Sequence, residues 1–162
     1  MSPDDNKLLA RRLYFEVFGE GRLETADEIL AEGCVSHGPG TPPLLGSAQI
    51  KRQAGILRTA MPDLRVTLED QLAEDDRVAS RWMGSGTNTG DLPLSPAATL
   101  PATGRPIAFG EIRIDRFENG RIAESWFIPD RFTLWQQLGL IPAPGAPAGS
   151  PAPGNVSNSD GN

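Results

Sequence analysis

Helical periodicity before Pro62, two-residue alternation after it, and an Asn-Gly turn between two strand-like runs predict an α+β domain whose N-terminal helices cover an antiparallel sheet. The 162 residues, 38% of them hydrophobic, are enough for one core in one domain. That domain is predicted over residues 1–140. From 141 to 162 the chain reads IPAPGAPAGSPAPGNVSNSDGN. Such a composition buries too little apolar surface to offset ordering entropy, so a disordered tail is expected there.

The elements follow in order. Residues 4–18 place Leu8, Leu9, Leu13, Phe15, Val17 and Phe18 among charges, with Ser2 and Asp5 at capping-box spacing. A second helix is expected over 23–31 (Leu23, Ala26, Ile29, Leu30) and a third over 46–61 (Ile50, Ala54, Leu57, Ala60), so three helices come first. After Pro62 the alternation of Leu64, Val66 and Leu68 starts the strands, which continue over 78–88, 106–117 and 121–128. A last helix, Arg131 to Leu138, has Asp130 as its N-cap and stops at Gly139.

Asn119-Gly120 suits the positive φ of a tight hairpin turn. Two registers are open. A plain two-residue loop sets Arg113 opposite Trp126, with Glu111, Arg113 and Asp115 sharing a face with Glu124, Trp126 and Asp130. A bulge at Gly120 shifts the pairing by one and brings Ser125 and Phe127 to that face.

The formal charge of −6 and pI near 4.8 disfavour nucleic acid and anionic membrane surfaces. Cys34 is the one cysteine and His37 the one histidine, too few for a disulfide or a zinc site. No secretory layout or long apolar run is present, so a cytoplasmic location is expected. The sequence contains no P-loop, dinucleotide fingerprint or Gly-x-Ser-x-Gly elbow. Neither metal nor cofactor is expected.

The segment GRIAESWFIPDRFTLWQQLG, residues 120–139, resembles the closing hairpin and last helix of SnoaL-like polyketide cyclases. Further similarity lies in Val35-Ser36-His37-Gly38-Pro39, Met61-Pro62-Asp63-Leu64-Arg65-Val66, Gly86-Thr87-Asn88-Thr89-Gly90 and Ala102-Thr103-Gly104-Arg105, in the family's order. The resemblance implies an NTF2-like cone, a curved antiparallel sheet closed by helices around an apolar pocket, often dimeric. It also implies a small polyketide-like substrate and, in some members, intramolecular aldol ring closure without metal or cofactor. The family's catalytic Asp position falls at Phe127 and its His position at Arg113. Asn88 stands where many relatives carry a His, and Leu92 to Leu100 is longer than the family's usual loop at the pocket mouth.

The candidate catalytic residues are therefore His37, Asp130, Arg113 and Glu111. His37 matches a family histidine and can act as base or donor near neutral pH, or be an exposed loop imidazole. Asp130 is a pocket carboxylate or a helix cap. Arg113, mid-strand, needs a carboxylate partner when buried, and Glu111 and Asp115 share its face; it either holds substrate or forms an ion pair. Trp82, Asn88, Trp126 and Phe127 are the candidate substrate-binding residues. The face Val78, Ser80, Trp82, Gly84, Gly86, Asn88 leaves space beside Trp82 for a flat ligand or for a packed helix. Trp126 and Phe127 point to opposite faces, so only one lines a cavity. Three functions follow: a cyclase with a relocated base, a cofactor-independent hydroxylase or epoxide hydrolase with Arg and carboxylate activating water, and a non-catalytic binding or dimerisation module.

Overall fold

The computed structural model describes residues 2–95 and 97–142. The predicted tail, from residue 143 onward, lies outside them. Helix α1 (Pro3–Arg12) opens with the capping box, Ser2 Oγ accepting from the Asp5 amide (3.2 Å) while the Ser2 amide donates to the Asp5 carboxylate (2.9 Å). It runs into a π-helical segment, Leu13–Gly19, whose wide turn is closed by the Glu20 amide donating to Phe15 O five residues back (2.9 Å). Then follow α2 (Thr25–Ile29), β1 (Leu30–His37), β2 (Leu44–Leu45), α3 (Gly46–Ala60), β3 (Arg65–Glu74), β4 (Arg77–Thr87), β5 (Leu92–Ser95), β6 (Ala98–Leu100), β7 (Pro106–Glu118), β8 (Arg121–Pro129) and α4 (Arg131–Leu138).

One expectation is corrected. Three helices do not come first, because Leu30–His37 is a strand inserted between the second and third helices. Leu30 and Ala31 extend a helical pattern in sequence, but extended backbone begins at Leu30, whose φ and ψ are −93° and 141°. The stretch 92–100 forms a small hairpin, β5 against β6.

Six strands make an open, curved sheet in the order β2-β1-β8-β7-β4-β3. Every pairing is antiparallel except β1 with β8. Helices α1 to α3 and the π-helical turn cover its inner face, where Leu13, Val17, Ile29, Ile50, Val78, Trp82 and Ile122 form the main core. A smaller cluster of Met61, Leu64, Ile107 and Leu138 closes the far end under α4. The α+β architecture with its helices on a curved sheet agrees with the sequence reading.

The hairpin register combines both alternatives. Asn119 (φ 50°) and Gly120 (φ 78°) form the two-residue turn and Glu118 faces Arg121. The bulge comes later, at Ala123, so that Arg116 faces Glu124, Asp115 faces Ser125 and Arg113 faces Phe127.

Asn88 is fully buried and ties three segments together. Its amide donates to Ala60 O (3.2 Å) and Gly90 O (2.7 Å), and its carbonyl accepts from Thr103 N (3.0 Å) and Oγ1 (2.8 Å). Asn88→Ala is expected to destabilise the fold by about 1 to 3 kcal/mol, because it leaves those buried groups unsatisfied; denaturant titration checks this, and an unchanged midpoint contradicts it.

Candidate active site

Between the inner sheet face and the helices lies a cavity with about 50 Å³ of room. Strands β4 and β7 supply Trp82, Gly84, Phe109, Glu111 and Arg113 to its wall, and β8 supplies Phe127. Tyr14 and Phe18 enter from the π-helical turn, and Gln53 and Leu57 from α3. The alternation of β7 explains why Phe109, Glu111 and Arg113 all reach inward, and the bulge at Ala123 explains why Phe127 does so on β8.

Arg113 is 3% exposed and is compensated where it stands. Its Nε donates to Asp115 Oδ1 (2.6 Å) and its Nη2 to Ser125 Oγ (2.7 Å), while Ser125 Oγ donates to the same Asp115 oxygen (2.6 Å). The guanidinium carbon also lies 5.8 Å from the Tyr14 ring and 5.7 Å from the Phe127 ring. A buried charge held this way is both neutralised and immobile.

Glu111 is the carboxylate on the cavity wall. Tyr14 donates its hydroxyl to Glu111 Oε1. Loss of solvation raises the carboxyl to about 7; Arg113 and Arg131 oppose that rise, and Asp115 adds to it. The Tyr14 hydrogen bond works in the same direction as the arginines. Tyr14 itself stacks on Trp82, ring centres 4.1 Å apart, and Trp82 Nε1 is buried with no hydrogen-bond partner among the described residues.

The other sequence candidates lie elsewhere. His37 stacks on Trp126 (5.6 Å) and shares a 3.0 Å hydrogen bond with Glu124. Trp126 points away from the face that Phe127 occupies, so His37, Glu124 and Trp126 all sit on the outer side of the sheet. Asp130 is exposed and caps α4, accepting from the Thr133 amide (3.0 Å). Hydrogen bonding from Thr133 holds its carboxyl below the usual range. Asn88 belongs to the structural network described above. Of the candidates, then, Glu111, Arg113, Trp82 and Phe127 meet in one cavity, Asp130 lines an open depression that it shares with Glu111 and Trp82, and His37, Trp126 and Asn88 line neither. The face along Trp82 is used in both ways considered: Tyr14 packs on the indole, and the cavity opens beside it. Sequence reasoning missed Tyr14, Gln53 and Phe109. Among the described residues no group of His, Cys, Asp and Glu is arranged to hold a metal ion.

Residues 8–138 match the profile of the SnoaL-like polyketide cyclases. The chain belongs to that family. Solved SnoaL-like structures superpose over most of its length. IdmH from Streptomyces antibioticus, provisionally described as a polyketide cyclase, is 29% identical with a TM-score of 0.68, covering 86% of this chain and 99% of its own. A provisional polyketide cyclase from Acidithiobacillus ferrooxidans is also 29% identical, with a TM-score of 0.69 and coverage of 85% and 97%. AclR from Streptomyces galilaeus, provisionally a hydroxylase, shares the fold at 22% identity, with a TM-score of 0.75 and coverage of 88% and 85%. No curated protein matches the chain in sequence.

The wall of this SnoaL-like cavity depends on the Arg113 pair. Arg113→Leu removes the countercharge of a fully buried Asp115 and is expected to destabilise the protein by about 3 to 5 kcal/mol. Adding Asp115→Asn should recover part of the loss. Chemical denaturation of both variants measures this; a double variant no more stable than Arg113→Leu counts against the pair.

Proposed function

We propose that the protein is a cofactor-independent enzyme acting on a small, carbonyl-rich, polyketide-like molecule, with Glu111 as its base. The observation that carries this reading is a carboxylate on the wall of an apolar cavity whose pKa of about 7 matches the requirement of a general base near neutral pH. Ionised Glu111 removes the proton from a carbon between two carbonyls. The resulting enolate oxygen is held by the Arg113 guanidinium on the cavity wall. The enolate carbon then attacks a third carbonyl farther along the same molecule, and the alkoxide takes back the proton from Glu111. Tyr14 orients the carboxylate through its hydroxyl. Names of relatives such as IdmH support a cyclisation of this kind. The single cysteine is compatible with the reducing cytoplasmic setting of this reading.

Water activation, as in a hydroxylase or epoxide hydrolase, needs an arginine and a carboxylate side by side on the cavity wall. Arg113 and Asp115 are close enough at 2.6 Å, yet Asp115 is wholly buried and absent from the wall, while Glu111, which is on the wall, is bonded to Tyr14 and Arg113 is bonded to Asp115 and Ser125. That favours proton abstraction.

Glu111→Gln is expected to lower turnover of a panel of open-chain β-keto esters bearing a further carbonyl by about 10²- to 10⁴-fold with the fold intact, and the wild-type kcat/KM should rise with pH to a plateau above about 7. Saturable binding with no turnover by the wild type would instead make the chain a binding module. Stability has the opposite slope. Because the folded carboxyl binds its proton more tightly than the unfolded one, the wild type should lose stability as pH climbs from the ordinary value of 4.5 to about 7, and Glu111→Gln should flatten that decline. Thermal melts across this window test the sign.

We also propose a homodimer joined through the outer sheet face. Leu72, Ile112, Ile114 and Ile128 are exposed there beside Trp126, a run of apolar side chains where a solvated sheet face carries polar ones. Sedimentation should show a dimer, and Ile112→Lys with Ile128→Lys should give a folded monomer; a monomeric wild type rejects the interface.

A further inference from the structure

The cavity's room of about 50 Å³ is small for the compounds such folds are expected to take. A cavity that admits one benzene ring measures about 150 Å³. Even a compact ligand has to displace side chains of the wall, and a fused bicyclic molecule has to displace more of them.

Two phenylalanine rings take up the missing space. Phe109 lies over Gly84, where an added Cβ would come 2.8 Å from its Cζ, and Phe127 lies over Gly38, where the corresponding distance is 2.7 Å. Each ring therefore occupies a seat that only a residue without a side chain leaves open. Phe127, 5% exposed, is also the ring that covers the Arg113 guanidinium. Tyr14, Gln53, Glu111 and Arg113 supply polar groups to the wall. A carbonyl oxygen can accept from the Gln53 amide or the Arg113 guanidinium, which a hydrocarbon ligand cannot.

We propose that Phe109 and Phe127 form a size filter that restricts the site to compact, open-chain 1,3-dicarbonyl compounds and excludes fused-ring substrates. The class of compound rests on the reading of Glu111 as base; the size limit does not depend on turnover.

Titration calorimetry of wild type, Phe127→Ala and Phe109→Ala with acetylacetone, methyl acetoacetate and the bicyclic methyl 1-tetralone-2-carboxylate tests it. The wild type should bind the two small compounds at least about tenfold more tightly than the bicyclic ester, and each alanine variant should gain about tenfold or more for the bicyclic ester. Circular dichroism verifies folding; should Phe127→Ala not fold, Phe127→Leu and the less buried Phe109→Ala carry the comparison. The filter is overturned by equal wild-type affinity for small and bicyclic ligands, by no saturable binding of the small ones, or by folded variants with unchanged preference. Glu111→Gln separates the two ideas. Loss of turnover with the size preference retained supports both, and unchanged turnover rejects the base while leaving the filter to the binding ratios.

Discussion

An arginine enclosed in an apolar wall must be neutralised within reach of its own side chain, and in this protein that requirement fixes the geometry around it. Arg113 is bracketed by Asp115 two residues along its strand and by Ser125 across the hairpin, so one carboxylate oxygen receives both the guanidinium and the hydroxyl. With Arg113 and Asp115 paired, the carboxylate on the cavity wall has no counterion of its own. Glu111 is left to face burial with a tyrosine hydroxyl and the more distant arginines, which is why its proton is held so firmly. The buried pair and the raised pKa of Glu111 are thus complementary outcomes of one charge arrangement.

Much of the frame was legible because it rests on local rules. The α3 and α4 helices carry their periodicity and stops in sequence, and Ser2 with Asp5 announced the first cap. Asn119-Gly120 marked the turn correctly. What escaped is non-local. The bulge at Ala123 has no turn residue to signal it, and it is chosen because a one-residue shift lets Ser125 reach Asp115 and turns Phe127 inward. Strand β1 escaped because Leu30 and Ala31 read on as helix; only the exposed edge of β8 makes it a strand.

The site was partly legible for the same reasons. Glu111 and Arg113 stood out as charges in a strand, and their inward face follows from period two. His37 was attractive as the chain's one imidazole, yet its position on β1 is in phase with Trp126 rather than Phe127, which puts it on the other side of the sheet. Tyr14 could not be found by helical periodicity, since the wider π turn changes the phase at which side chains meet the sheet. Family resemblance located the cavity well; it did not say which of the positions around it would carry the charge.

The parallel pairing of β1 with β8 also has a bearing on how the chain folds. Leu30 lies opposite Ile122 and Ser36 opposite Ser125, so the centre of the sheet joins residues separated by some ninety positions in sequence. Bringing such distant segments together is entropically slow, and local hairpins such as β7–β8 can form long before it. During synthesis the β1 strand must therefore wait, unpaired along one edge, until nearly the whole domain has emerged. The cavity, roofed by elements from both ends of the chain, is then among the last features to be completed.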